Sequence, residues 1–335
     1  MTETIAGKNT PNIELTDELL QRVGKNTEEM NKVVRPSLTY WQDAWIKLRK
    51  NPVATLGLII LVIYILMAIF APMLTPYSYR TNNSRAMNLE PMQNSEDEIA
   101  AAAESGEKLA PHIFGTDQMG RDLWARTWMG ARVSLFIGLA VVSINTVIGC
   151  LVGGIAGYFG GRADMIIMRI IDVLYGIPMI ILAILLMVVM GSGIVSLIVA
   201  MVAIGWISSA RLVRGQVLQL KSSEYVLAAK TLGASDMRVI IRHMLPNISG
   251  ILITNMTMAI PNAIFNEAFL SYIGIGIAAP MCSWGLLART GAALMEIYPY
   301  QLIIPAFFIC TTMLSLNMLG DGLRDALDPK MRGKY

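Results

Sequence analysis

Charge is what this chain has least of. Of its 335 residues only 15% are Asp, Glu, Lys or Arg, while 54% are hydrophobic and the mean hydropathy is +0.53. Soluble domains carry about 25% charged residues, so an ordinary water-soluble domain is excluded and lipid must serve as part of the solvent. Cysteine is also scarce: Cys150 and Cys310 sit inside apolar runs and Cys282 stands alone. Three scattered thiols build neither a disulfide framework nor a metal cluster, and each is expected to act as a small hydrophobe. The two histidines, His112 and His243, fall on opposite sides of the membrane in the span order below, which excludes a shared metal site. No G-x-x-x-x-G-K-[ST] loop is present, so ATP is not bound through that motif, and neither G-x-S-x-G nor H-E-x-x-H occurs. No secretory signal is visible either. Thr2 to Glu29 is polar and mixed in charge, so the N-terminus is expected to stay in the cytoplasm with its first part mobile.

Long apolar runs are what the chain has in abundance, and they predict an all-α integral membrane protein with six transmembrane helices and both termini cytoplasmic. Residues 1–52 form a cytoplasmic region. Within it, Leu38, Trp41, Trp45 and Leu48 beside Lys47, Arg49 and Lys50 predict an interfacial helix near 38–50. The first span covers 53–74, stopped by Pro72 and Pro76, and 75–131 is an extracytoplasmic loop whose acidic insert, NSEDEIAAAAESGEK, suits a short surface helix. Residues 132–320 carry five further spans, and 321–335 form a cytoplasmic tail. The second span, near Val133 to Tyr158, places Gly149, Gly153 and Gly157 at four-residue steps, a spacing that lets helix backbones approach closely in lipid. The third runs from about Met165 to Met190 with a kink at Pro178 and an interfacial charge pair, Arg169 and Asp172. The fourth covers about Ile194 to Ser209, the fifth about Ile248 to Ile273 with a break at Pro261, and the sixth about Leu302 to Leu319.

Twenty of the 27 Lys and Arg residues fall on the segments this order puts inside; the seven outside are Arg80, Arg85, Lys108, Arg121, Arg126, Arg132 and Arg289. That bias obeys the positive-inside rule. The cluster of Arg121, Arg126 and Arg132 on the outer side is the feature that agrees with it least.

Two polar features interrupt the apolar pattern. On the fifth span Asn255, Asn262 and Asn266 share one face, with Glu267 beside them. Lipid cannot satisfy such a row, so it faces a water-filled pathway or hydrogen-bonds between helices. The other is an island at 221–247, KSSEYVLAAKTLGASDMRVIIRHMLPN, held between two spans. Ser222 or Ser223 can cap a first helix with Glu224 at its positive end, Gly233 can close it in a left-handed conformation, Ser235 with Asp236 can start a second, and Pro246 ends it. A DNA-binding helix-turn-helix is discounted, because a duplex could hardly reach a segment so close to two spans. No nucleic-acid partner is expected.

The island resembles the signature loop of binding-protein-dependent ABC importer permeases of type I, E-A-A, three residues, Gly, nine residues, I-x-L-P. Ala228, Ala229, Gly233, Leu245 and Pro246 are in register, with Leu227 where the pattern has Glu and His243 where it has Ile. Four further stretches look like the C-type permease subunit of the peptide and nickel importer group: RKNPVATLGLIILVIYILMAIFAP, FGTDQMGRDLWARTWMGARVSLFIG, NEAFLSYIGIGI and NMLGDGLRDALDP. The acidic insert has no counterpart in shorter members of that group. The resemblance implies a type I ABC importer permease fold in a bacterial inner membrane. It also implies a homologous second permease, two P-loop ATPases that carry ATP and Mg, an external substrate-binding protein and a peptide substrate. No cofactor would be bound by this chain, and the chain itself would not be an enzyme. The coupling contact with an ATPase would be made by Glu224, Ala228, Ala229, Lys230, Gly233, Ala234, Ser235, Asp236 and Arg238, with Ala228, Ala229 and Gly233 presenting little bulk. Asn255, Asn262, Asn266 and Glu267 would line the pathway. Oligopeptide import is the leading expectation, dipeptide or nickel import the alternative within the family, and an ion-driven secondary transporter the alternative of another class, with Glu267 and Asp172 as its candidate acids.

Overall fold

The computed structural model describes residues 40–106 and 108–327. The expectations placed on the N-terminal region before Tyr40 and on the tail after Leu327 therefore lie outside the described residues. The chain divides into Met1–Gln42 and Asp43–Tyr335, and the architecture that follows is that of the second unit. Helix α1 (Tyr40–Lys50) buries Ala44 and Leu48 and turns Trp45 outward under the Arg49 guanidinium, 5.1 Å from its ring. Asn51 then caps α2 (Pro52–Phe70), its side chain accepting from the Val53 and Ala54 amides, with Pro52 in the first-turn position that proline tolerates.

Between the spans, α3 (Glu96–Ser105) is the helix expected in the acidic insert. Ser95 Oγ accepts from the Glu98 amide while the Glu98 carboxylate accepts from the Ser95 amide at 2.9 Å, a complete capping box. The insert is pinned to the body through His112, which is 2% exposed. Its ring stacks on Tyr77 at 3.9 Å, its Nδ1 lies 2.8 Å from Asp122 and its Nε2 lies 3.4 Å from Glu98. Burial alone would lower the imidazole's pKa, but the hydrogen bond and charge of Asp122, with those of Glu98, outweigh it and raise the value above the ordinary one. Burial pulls Glu98 the other way, and the Ser95 amide and His112 together hold it below the usual range.

Asp122 also caps α4 (Leu123–Phe159), accepting from the Ala125 amide at 2.7 Å. Its 37 residues run about 55 Å at 1.5 Å per residue. The helix starts well before the expected Val133 because its arginines are bound internally. Arg121 pairs with Asp117 at 2.8 Å, Arg126 lies 3.5 Å from the same carboxylate, and Arg132 donates to the carbonyls of Ala68 and Ile69 that end α2. This answers the discord with the charge rule: the three arginines are fixed parts of the protein, not a free cationic surface.

The third span is broken rather than kinked. Helices α5 (Gly161–Tyr175) and α6 (Met179–Met190) meet at 82° across Gly176 to Pro178. Among the described residues, five helices are long and apolar enough to cross a membrane, or six with this pair counted as one. Asp172 pairs with Arg211 at 2.9 Å and not with Arg169, and Asp164 holds Arg214 through two contacts of 2.5 and 2.6 Å. With both arginines neutralised by α5, helix α7 (Ile194–Leu220) continues past the expected end at Ser209. The glycine row of α4 faces α7. A Cβ at Gly153 would enter the Ala210 carbonyl, and one at Gly157 would lie 2.8 Å from the Arg214 carbonyl. Packing, as expected from the spacing, explains the row.

Helix α8 (Glu224–Thr231) opens the island, and α9 (Ser249–Tyr272) follows it. Pro261 was expected to break α9. It lies inside the helix and is buried, because neighbouring packing tolerates one freed carbonyl in a membrane helix. Helix α10 (Trp284–Ala292), capped by Ser283, inserts a fully buried Trp284 whose indole donates to the Thr127 carbonyl at 3.0 Å. The last helix is α11 (Tyr300–Leu327). The core has three levels. Aromatic side chains of Tyr64, Trp128, Trp284 and Phe308 fill one end. Aliphatic residues of α4, α6, α7 and α9 fill the middle, and Tyr158 with the island fills the other end. Outward faces are apolar, as at Phe136, Val147, Val188 and Leu314, the inverse of a soluble surface.

Candidate functional site

The island is a rigid knuckle. Helix α8 ends in a full Schellman motif: the Gly233 amide donates to the Lys230 carbonyl at 2.9 Å and the Ala234 amide to the Ala229 carbonyl at 3.0 Å. Gly233 has φ of +82°, the left-handed conformation its position requires. The caps differ from expectation. Ser223 stands at the start of α8, but its hydroxyl donates back to the Leu220 carbonyl at 2.6 Å. Ser235 likewise makes no side-chain cap. Pro246 does not end the second helix. Asp236–Arg238 passes through a π-helical turn, Val239–Met244, and a 3-10 turn, Pro246–Ile248, straight into α9, so that Asp236–Tyr272 is one long element. Proline can occupy that first-turn position without removing a hydrogen bond the helix needs.

Tyr158, at the end of α4 and 3% exposed, joins both halves of the knuckle. Its hydroxyl donates to Asp236 Oδ1 at 2.5 Å, and Lys230 Nζ lies 4.5 Å from its ring centroid. Beneath it Val226, Val239, Ile240, Met244 and Ile248 pack on Val213 and Val217 of α7. Of the nine residues expected at the coupling contact, Glu224, Ala228, Lys230, Gly233, Ser235, Asp236 and Arg238 are exposed, and Ala234 is half-buried. Ala229 is turned inward and is 9% exposed, so it packs the knuckle rather than presenting a small face. Sequence spacing alone missed the apolar members of the outer face: Leu232 is 88% exposed, with Leu227, Met237 and Ile241 also turned out.

Asn255, Asn262 and Asn266 meet in a cavity of about 520 Å³ between α4, α7 and α9, and Asn145 of α4 also lines it. No hydrogen bond joins any two of these four among the described residues, which favours a pathway over interhelical bonding. Asn145 went unnoticed in the sequence because the glycine row dominated that helix; a lone amide inside an apolar span was its signal. A second cavity of about 640 Å³ shares Asn255 and Met258 with the first and reaches Gln216, Gln219 and Arg324. Glu267 is not part of this lining. It is fully buried on another side of α9, accepting from Ser134 at 2.7 Å and Ser271 at 2.8 Å, while the Trp284 amide reaches Ser134 Oγ at 3.4 Å. It is a buckle between α4, α9 and α10. Asp172 is engaged by Arg211, and neither acid lines either of these two cavities. The three cysteines are free, and no group of three or more His, Cys, Asp or Glu side chains is placed to hold a metal among the described residues.

A multi-pass helical membrane protein with an uncharged polar cavity and a rigid knuckle beyond its spans belongs to the transport components. Residues 146–333 match the family model described as the binding-protein-dependent transport system inner membrane component, and residues 39–91 match the N-terminal transmembrane domain of oligopeptide transport permease C. The chain belongs to this family of inner-membrane permeases and has its type I permease fold. It is 46% identical over 314 residues to the oligopeptide transport system permease protein OppC of Bacillus subtilis (strain 168), covering 94% of this chain and 97% of that one. It is 47% identical over 320 residues to the dipeptide transport system permease protein DppC of the same organism, 95% of each chain. Identity to the oligopeptide permease OppC of Haemophilus influenzae is 39% over 315 residues, 94% of this chain and 96% of that one. These relatives are permease proteins.

Proposed function

We propose that this chain is one of two homologous permease subunits of an ATP-driven importer that carries oligopeptides, delivered by an external binding protein, across the bacterial inner membrane. Two P-loop ATPases would bind ATP and Mg, and the knuckle would dock into one of them. The observation that carries this reading is the knuckle itself: its outer face is free and partly apolar, while Tyr158 and the α7 valines hold it rigidly to the spans. A rigid knuckle transmits the closure of a partner to the helices as a tilt, exchanging inward and outward access to the cavity. The excess of Lys and Arg supports a cytoplasmic position for the knuckle and both termini. The sealed Glu267 argues against an ion-driven transporter, which needs an accessible intramembrane acid, and the exposed Asp172 is held in an ion pair with Arg211.

Gly233 is a poor probe of docking, since its positive φ strains any replacement. Ala228 is exposed on a helix and tests the contact cleanly. In vesicles holding all components, Ala228→Trp should abolish ATP-driven peptide uptake while the complex still assembles; normal uptake would refute docking at this face. A dipeptide substrate is favoured equally by the 47% identity to a dipeptide permease. Uptake of alanine peptides of increasing length separates the two.

A further inference from the structure

We propose that the cavity between α4, α7 and α9 binds its cargo by the peptide main chain, with Asn145, Asn255, Asn262 and Asn266 as the recognising side chains. The inference rests on the peptide-import reading above and adds a binding site and its chemistry. A carboxamide carries both a donor and an acceptor, the same pair that every peptide bond presents. Asn255, Asn262 and Asn266 come from α9 and Asn145 from α4, so amides of two helices line one space. Asn145 supplies an independent indication: its Oδ1 is buried and has no hydrogen-bond partner. Buried polar atoms without partners are rare, and the residue that carries this one lines a space of about 520 Å³, within the ~300–1,000 Å³ range of small-molecule sites.

The remaining lining explains how one site accepts many sequences. No Asp, Glu, Lys or Arg lines this cavity, so a cargo side chain meets no fixed charge of either sign. Met179, Met201 and Met258 share the apolar lining with Val141, Val142, Ala259 and Ala263, and methionine's flexible thioether lets part of that lining adapt to irregular shapes. Asn255 and Met258 also border the second cavity, whose lining holds Gln216, Gln219 and one charged residue, Arg324. Side-chain selection is thereby left to the binding protein, and the membrane subunit reads only what all peptides share.

The test uses the complete importer in proteoliposomes, with its receptor unchanged. Tetra-alanine, the same peptide with a central Lys or Glu, and tetra-alanine with N-methylated central bonds are compared at matched receptor occupancy. Wild type should import the three unmethylated peptides alike and the methylated one about tenfold more slowly. Asn145→Leu should lower uptake of all three unmethylated peptides about tenfold, the scale of an unmet buried hydrogen bond, while Asn145→Ser should stay within about threefold of wild type. Wild-type rates for Asn145→Leu and Asn262→Leu, or losses that depend on cargo charge, would overturn the proposal. Absence of peptide uptake by the wild-type complex would instead sink the import reading, and this proposal with it. Should the variants fail to assemble, a benzophenone-bearing peptide in the wild-type complex decides: labelling at Met201 or Met258, competed by tetra-alanine, supports the site, and labelling confined elsewhere refutes it.

Discussion

Removing one oxygen atom should uncouple ATP hydrolysis from transport. Tyr158→Phe keeps the ring, and with it the contact to Lys230 at 4.5 Å and the packing against the valines of α7, but deletes the 2.5 Å hydrogen bond to Asp236. A hydrogen bond to a charged acceptor is worth about 1.5–3 kcal/mol, and since Asp236 is exposed to water the low end, about 1.5 kcal/mol, applies. That is roughly a tenfold shift between attached and detached positions of the second knuckle helix. The retained cation–π contact contributes only about 0.5–1 kcal/mol, so the knuckle should stay folded but move more independently of α4. In reconstituted complexes the expected result is near-normal ATP hydrolysis with severalfold fewer peptides imported per ATP, and faster hydrogen exchange over residues 224–244. Tyr158→Ala, which also opens the core, should lower thermal stability as well. Unchanged stoichiometry and exchange in Tyr158→Phe would refute the idea that this tyrosine makes the knuckle a lever.

Three further expectations concern other parts of the molecule. Gly153→Leu drives a side chain into the Ala210 carbonyl and must spread α4 from α7; overpacking costs about 1–3 kcal/mol or more, measurable as a fall in Tm in detergent, and an unchanged Tm would contradict the close approach. Glu267→Gln should retain transport, whereas Glu267→Ala strands the Ser134 and Ser271 hydroxyls and should destabilise the protein by about 2 kcal/mol or more; loss of transport in the Gln variant with normal stability would restore an ion-coupling role. The clamp of α3 should depend on pH. His112 is raised, so its contribution is complete below the ordinary histidine value and is lost as pH rises through the raised one. Glu98 is lowered, so its contribution is present above the ordinary glutamate value and is lost as pH falls through the lowered one. Hydrogen exchange over residues 96–105 should therefore be slowest, relative to the intrinsic rate, between about pH 4.5 and 6.5, and His112→Phe should flatten its alkaline arm.

Pairing and packing between segments explain where the structure departs from the linear pattern. Charged residues at the ends of α4 and α7 look like span boundaries in a linear sequence, but Asp117 neutralises those of α4 from the preceding turn and Asp164 and Asp172 those of α7 from a distant helix, and the helices run on. Pro246 and Pro261 look like breaks, yet one occupies a helix start and the other is carried by its neighbours. Glu267 looks like a neighbour of the asparagine row, but adjacent positions on a helix point about 100° apart, and here that turn carries it into a sealed buckle.

Composition and local period were enough for a helical membrane protein, the places of its spans, the short helix of the acidic insert, the glycine seam of α4 and the left-handed close of α8 at Gly233. These follow from the solvent each stretch requires and from backbone preferences a few residues long. Only the tertiary structure decided that Tyr158 ties the knuckle to α4, that Ala229 faces inward while Leu232 faces out, and that Asn145 completes the cavity. Those facts depend on which helix faces come together, and that choice is made by packing between segments far apart in the chain.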